Sequence, residues 1–329
     1  MSMIDPTRLN RVGEAVAALR GQMARVLVGR TGFVDRLVIA LLCRGHVLIE
    51  GVPGLAKTLA VKTLAGAVRG EFRRVQFTPD LLPADICGME VYQPASGTFT
   101  VRKGPVFANI LLADEINRAP SKVQSALLEA MAERRVTIGG ETFALPEPFF
   151  VLATQNPIEQ EGTYPLPEAQ VDRFLLQLVL GYPSADEEKE IVRRGGDDAP
   201  TPIEPVLSGE AVLELSELAA QVHLDERLLD YIVGLVGATR DPGAAGLDGL
   251  SGLVGKIAYG ASPRASIALA RTARAMALLD GRDYATPGDI KALAPDVLRH
   301  RILLTYEAQA EGLTPDAVVR TLLETIPVP

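Results

Sequence analysis

Near the N-terminus the apolar positions Val12, Val16, Leu19, Met23 and Val26 recur every three or four residues. That spacing predicts an amphipathic helix over residues 7–29. A second helix is predicted from about Phe33 to Arg44. The period then changes. His46-Val-Leu-Ile-Glu50 is a short apolar run that ends in a glycine-bearing turn, the pattern of a strand buried on both faces of a parallel sheet. A helix from Lys57 to about Val68 follows it. Four more short apolar runs read as strands of the same sheet: Phe72–Phe77, Asn109–Ala113, Phe149–Thr154 and Phe174–Leu180. Helical stretches, including Ser121–Arg134, separate several of them. The alternation predicts an α/β core around a five-stranded parallel sheet.

Two segments break the alternation. Residues 89–102 read as a hairpin with a Pro-Ala-Ser-Gly turn, and residues 135–145 as a second with Gly139-Gly140 at its tip. Consecutive glycines suit the positive φ of tight hairpin turns. Tyr182-Pro183 closes the sheet region, and Ser184 with Glu187 forms a capping-box pattern that opens a helix through Arg194. Residues 195–208, rich in Gly, Asp and Pro, read as a linker. Beyond them the pattern is helical to the end, and Thr286-Pro-Gly-Asp289 opens one of the helices. The expected division is therefore a core over residues 1–182, then a linker and a smaller all-α domain over 183–329.

Composition narrows the picture. The chain has 329 residues, 47% of them hydrophobic and 22% charged, enough to bury a core without disulfide or metal staples. Cys43 and Cys87 stand in no CxxC pattern and are expected to be reduced thiols. His46, His223 and His300 are scattered and indicate no metal site. A net charge of −8 gives no global attraction to nucleic acid or anionic membrane. The apolar run Leu37–Cys43 is far shorter than the ~18 residues of a membrane helix. No cationic segment followed by a long apolar run marks a signal peptide. The expectation is a soluble, cytoplasmic protein.

The chemistry is concentrated at strand ends. Gly51-Val-Pro53-Gly54-Leu55-Ala56-Lys57-Thr58-Leu59 follows a strand and opens a helix. In that setting successive backbone N–H groups and the helix N-terminus favour a polyphosphate. Lys57 is placed to reach β- and γ-phosphates and Thr58 to put its hydroxyl on Mg²⁺. The usual pattern has Gly directly before the lysine; here it is Ala56. The run Asn109–Ala113 ends in Asp114-Glu115, and the ends of strands are where open α/β sheets bind ligands. Asp114 suits the metal, directly or through water, and Glu115 suits orienting or deprotonating a water. Phosphoryl transfer needs little more than such positioning and charge stabilisation. Asn156, after Ala153-Thr-Gln, is a neutral polar group at another strand end.

Taken in order, these motifs resemble the MoxR family of AAA+ ATPases. The resemblance rests on Gly51–Thr58, Asp114-Glu-Ile-Asn-Arg-Ala-Pro120, Ala153-Thr-Gln-Asn-Pro157 and Tyr164-Pro-Leu-Pro-Glu-Ala-Gln-Val-Asp-Arg-Phe174. It extends to Gly260-Ala-Ser-Pro-Arg264 and Leu293-Ala-Pro-Asp-Val-Leu-Arg-His-Arg301, and so covers about Val28 to Glu307. It implies ATP and ADP as ligands with Mg²⁺. Asn156 is implied as the sensor-1 residue, and Arg173 as an arginine finger acting on ATP held by an adjacent subunit. Arg264 is implied as sensor 2 at the start of a lid helix, serving its own nucleotide or a neighbour's. Val28-Gly29 corresponds to the stretch that meets the adenine. The hairpins at 89–102 and 135–145 correspond to the helix-2 insert and the pre-sensor-1 hairpin. The resemblance further implies a homo-oligomeric, hexameric ring with a chaperone-like role, and von Willebrand A domain proteins as partners. Arg118, three residues after Glu115, is a further candidate for the nucleotide or the subunit interface.

Other readings fit less well. A GTPase-like switch should carry an Asn-Lys-x-Asp motif, which the sequence lacks. A nucleic-acid motor gains no support from an acidic chain with 5% aromatic residues. A transporter ATPase would need more of a signature loop than Leu207-Ser-Gly-Glu210.

Overall fold

The computed structural model describes residues 4–52, 54–156, 162–195 and 202–329. Helix α1 (Pro6–Val26) buries Val12, Val16, Leu19 and Met23, the positions whose spacing predicts it. It stops at Val26 rather than Gly29, because Gly29 adopts φ +66° in the loop beyond. Helix α2 (Thr31–Leu42) buries seven residues from Val34 to Leu42 and leads into β1 (Val47–Gly51). Next come α3 (Lys57–Ala67), β2 (Phe72–Gln76), α4 (Pro83–Cys87), and the hairpin of β3 (Gly88–Gln93) with β4 (Thr98–Lys103). After β5 (Ile110–Asp114) and α5 (Ser121–Glu133), a second hairpin joins β6 (Arg135–Ile138) to β7 (Glu141–Ala144). Its turn glycines, Gly139 and Gly140, have φ of 59° and 86°. The chain continues through β8 (Phe150–Gln155), α6 (Glu168–Val171), β9 (Leu176–Leu180) and α7 (Ala185–Arg193). Ser184 caps α7 through the expected box with Glu187.

The five-stranded sheet has the order β2-β5-β8-β1-β9. Its central strands are buried on both faces: Val47–Ile49, Ile110–Ala113 and Val151–Ala153 expose 1% or less of their surface. Burial on both faces is why these runs read as continuously apolar rather than alternating. Strand β2 lies at an edge and is only partly buried, which accommodates Arg73 and Arg74. The parallel registers set Gln76 beside Asp114, Ala113 beside Ala153, and Glu50 beside Gln155. Those pairings align the C-terminal ends of β2, β5, β8 and β1 along one side of the sheet. The last strand begins at Leu176 rather than Phe174, since Phe174 is fully buried in the apolar core beside Leu127, Leu128 and Val151.

Residues 15–174 and 178–214 form one compact unit, which holds most of this sheet. The other unit takes residues 175–177, 215–329 and the described part of 1–14, and most of it is helical. Its principal elements are α8 (Gly209–Gln221, begun in the first unit), α9 (Glu226–Arg240), β10 (Ile257–Tyr259), α10 (Pro263–Leu279), α11 (Pro287–Leu298), β11 (Leu303–Leu304), α12 (Tyr306–Ala310) and α13 (Pro315–Thr325). Most are capped by side chains: Asp225, Ser262, Thr305 and Thr314 each accept a first-turn backbone N–H. Asp289 of α11 accepts from the Thr286 N–H at 2.7 Å and pairs with Arg282 at 2.7 Å. The helical reading misses one feature, the antiparallel ladder of β10 with β11. Gly260 follows β10 because a Cβ there would lie 2.4 Å from the Thr239 carbonyl oxygen, closer than any side chain tolerates.

Candidate functional site

The loop after β1 turns sharply before α3 begins at Lys57. Gly54 has φ +85°, and Ala56, the residue preceding the helix, has φ 56° and ψ 24°. Ala56 is thus left-handed, which explains why glycine is the residue expected there. The Lys57 Nζ donates to the Gly51 carbonyl at 2.6 Å, folding its side chain back over the loop. Half-burial lowers the Lys57 pKa, opposed by the attraction of Asp114 and Glu115. Pro53, expected to contribute to this loop, lies outside the described residues.

The acidic pair stands at the end of β5, two strands away from β1 in the sheet order. Asp114 is 8% exposed and both its oxygens are engaged. Its Oδ1 accepts from the Thr154 hydroxyl at 2.6 Å, and its Oδ2 from Arg74 Nη2 at 2.6 Å and Nε at 3.1 Å. Glu115 adopts a left-handed backbone, φ 55° and ψ 52°, that ends the strand abruptly. Its N–H donates to the Thr154 hydroxyl at 2.8 Å. Its carboxylate accepts from the Gln76 amide at 2.7 Å and from Arg118 at 3.1 Å. One buried threonine of β8 therefore ties both acidic residues down, and two polar side chains of the edge strand β2 reach across to them.

Lys57, Arg74, Asp114 and Glu115 line one cleft of about 520 Å³. Gly54, Leu55, Ala56, Lys57, Thr58 and Leu59 line it beside Asp114, Glu115 and Asn156, so the expected residues from three strand ends converge. Asn156 is 6% exposed. Away from the carboxylates the wall is mostly apolar: Val26, Leu27, Val28, Pro183 and Ile191, with Arg30 and Arg194 at its margin. Arg30 donates to the Gly181 carbonyl at 2.9 Å, and Arg194 to the Ala24 carbonyl at 3.1 Å, tying the two sides of this wall together. Gly29 does not line the cleft; its φ of +66° is the left-handed backbone that favours glycine. An apolar wall beside a cluster of charged and polar groups has the chemistry of a nucleotide site.

The Thr58 hydroxyl and the Asp114 carboxylate are hard oxygen donors on the same cleft, the type of ligand Mg²⁺ takes. No group of three His, Cys, Asp or Glu residues suited to a metal occurs among the described residues. A cation held by one or two protein oxygens and completed by phosphate and water fits that donor set.

The two remaining arginines are not among the residues that line the cleft. Arg173 does not line the cleft; it is exposed and donates to the Leu128 carbonyl at 2.7 Å. Arg264 belongs to the helical unit, in the first turn of α10, where its N–H donates to the Ser262 hydroxyl at 3.2 Å. Arg74, Gln76, Thr154, Ile191 and Arg194 were not foreseen. Thr154 stands inside the Ala153-Thr-Gln-Asn-Pro157 motif, but nothing in the local sequence marks its hydroxyl, and the other four are placed by strand order or helix position rather than by a motif. Arg118 pairs with Glu115 at 3.1 Å and does not line the cleft.

Comparison with known proteins follows the same lines. The family described as "ATPase family associated with various cellular activities (AAA)" matches residues 46–176, and the AAA lid domain matches residues 255–322. The chain is 52% identical to Chaperone MoxR1 of Mycobacterium tuberculosis over 94% of its own length and 81% of that protein. It is 46% identical to YeaC of Bacillus subtilis, covering 93% of this chain and 92% of that one. A crystal structure of a protein from Cytophaga hutchinsonii superposes with a TM-score of 0.91 at 47% identity, covering 98% of this chain and 97% of the other.

Proposed function

Because the chain belongs to the MoxR family of AAA+ ATPases, and is therefore an ATP-hydrolysing P-loop enzyme, we propose that it turns over Mg²⁺·ATP in this cleft as a ring of identical copies and uses the cycle to remodel or assemble partner proteins. The observation that carries the proposal is the convergence of Lys57, Thr58, Asp114, Glu115 and Asn156 on one cleft while Arg173 stands outside it. An arginine finger that stands outside the cleft of its own chain is the arrangement expected where it serves a neighbouring copy.

In this reading the backbone N–H groups of residues 54–58 and the start of α3 receive the polyphosphate. Lys57 exchanges its bond to the Gly51 carbonyl for the β- and γ-phosphates. Thr58 and Asp114 hold Mg²⁺, which when bound neutralises charge on the phosphates. Glu115 orients or deprotonates the attacking water, and Asn156 hydrogen-bonds that water or the γ-phosphate. The adenine lies against Leu27, Val28 and Ile191. Arg173 stabilises charge on ATP bound by the next subunit, an effect worth about 10³–10⁵ in rate. Arg264 serves as sensor 2 for its own cleft or a neighbour's. Residues 1–182 would carry the chemistry, and 183–329 the linker and lid. A hexameric ring, a cytoplasmic setting and a von Willebrand A domain partner complete the reading. The chaperone role is supported by the name of the Mycobacterium relative. No helix among the described residues is long and apolar enough to cross a membrane.

The test is Mg²⁺-dependent ATPase activity per subunit over a range of protein concentrations, with Arg173→Ala alongside. Shared sites predict specific activity that rises with concentration, and a variant that binds ATP without turning it over. Flat specific activity together with a normal Arg173→Ala enzyme would refute the assignment.

A further inference from the structure

The two oxygens of Asp114 are held in different ways. Oδ1 takes its hydrogen bond from Thr154, a fully buried residue inside the central strand β8. Oδ2 takes both of its bonds from Arg74, whose side chain is 49% exposed against 12% for that of Asp114. Arg74 comes from the edge strand β2, so no outer strand pins it, and its guanidinium lines the cleft with Lys57 and Thr58. One side of the carboxylate is fixed in the core. The other carries a half-exposed counter-ion from an edge strand.

A divalent cation that approaches between Thr58 and Asp114 meets this guanidinium on the carboxylate. Two cations on one oxygen repel strongly in a partly buried site. We infer that Arg74 is a positioning residue that competes with Mg²⁺ for Asp114 Oδ2: it orients the carboxylate and compensates its charge in the metal-free cleft, and leaves when metal and nucleotide arrive. This inference rests on the Mg²⁺·ATP reading of the site. It has a further consequence for Glu115. Arg74 Nη2 also donates to Gln76 Oε1 at 3.2 Å, and the Gln76 amide donates to Glu115 at 2.7 Å. Departure of Arg74 removes a support from the amide that holds Glu115, so metal arrival at one carboxylate loosens the other.

The experiment uses the full-length chain with one equivalent of ADP. Mn²⁺ serves as the metal, and loss of the free-ion EPR signal reports its binding. R74M removes the competitor; R74K keeps the charge but loses the two-pronged grip on Oδ2. Both variants should bind Mn²⁺ more tightly than the parent, R74M by about fivefold, the upper end of the worth of a partly exposed ion pair, and R74K by less. Unchanged affinity in R74M would overturn the inference. So would R74K matching the parent while R74M alone tightens, since that pattern reports only the field of a distant charge. Should R74M fail to fold, R74K decides between tightened and unchanged binding. ADP binding by the parent in the presence of Mn²⁺ separates the two levels: its absence refutes the nucleotide reading and this inference with it. Its presence with unchanged metal affinities refutes the role of Arg74 alone.

Discussion

Thr154→Val isolates the residue on which both carboxylates hang. Valine matches threonine in shape, so the substitution opens no cavity and removes only the hydroxyl. Two hydrogen bonds are lost: the 2.6 Å bond to Asp114 Oδ1 and the 2.8 Å bond from the Glu115 N–H. A hydrogen bond to a charged group is worth about 1.5–3 kcal/mol, and a buried N–H left unpaired costs about 1–3 kcal/mol. Arg74 still occupies the other Asp114 oxygen and softens the first loss, which brings the expected destabilisation to about 2–4 kcal/mol. The chain forms two compact units, so a whole-molecule melt can hide the change. Hydrogen exchange at the amides of β5 and β8 reads it where it occurs. Thr154→Ser keeps the hydroxyl and loses a methyl, and should cost about 1 kcal/mol. If Thr154→Val stays within about 0.5 kcal/mol of the parent, the ordinary spread of surface substitutions, the hydroxyl does not tie the site together and the account of how Glu115 is held fails.

Three further outcomes follow from the same geometry. His46 is fully buried between the Met131 carbonyl and the Val151 N–H, and burial lowers its pKa from 6.5 to about 4. Between those values the unfolded chain binds a proton that the folded chain refuses, so stability falls as pH drops from about 6.5 to 4; the total, 6.5 − 4 units at 1.36 kcal/mol each, is about 3 kcal/mol. Urea unfolding of the parent and of His46→Asn over that range checks it, the variant showing a shallower slope. Ala56→Gly relieves a left-handed alanine and should stabilise the chain by about 0.5–1 kcal/mol, and a lower urea midpoint would contradict the loop geometry. Glu115→Gln should keep ATP binding and lose about 10²–10⁴ in turnover; parallel loss of binding, measured with a fluorescent ATP analogue, would remove Glu115 from its catalytic role.

The parts of the site that are legible in the sequence are those encoded by contiguous residues. The loop of residues 51–58 shows itself because strand, turn and helix are adjacent in the chain. The pair Asp114-Glu115 shows itself because an apolar run ends on it. What stays hidden depends on strand order. Arg74 and Gln76 stand on a strand with charged residues, but their partners are set by β2 lying next to β5, a tertiary fact with no local signature. Thr154 reads as an ordinary β-branched strand residue, and its hydroxyl matters only because β8 lies against β5. The left-handed turn at Glu115 is invisible, since nothing about glutamate favours it. The ladder of β10 and β11 escapes for another reason: strands of two or three residues are too short for a period to register.

That ladder also divides the molecule for engineering. Ile257 pairs with Leu304, Tyr259 with Leu303, and the Thr305 N–H donates to the Lys256 carbonyl at 3.0 Å. The stitched ends bracket α10 and α11, so residues 256–305 form a closed hairpin of helices. A chimera that exchanges this hairpin with a related protein inherits its clasp intact. A crossover placed inside it sets one parent's edge strand against the other's, and should lower the yield of folded recombinants at those breakpoints relative to breakpoints on either side.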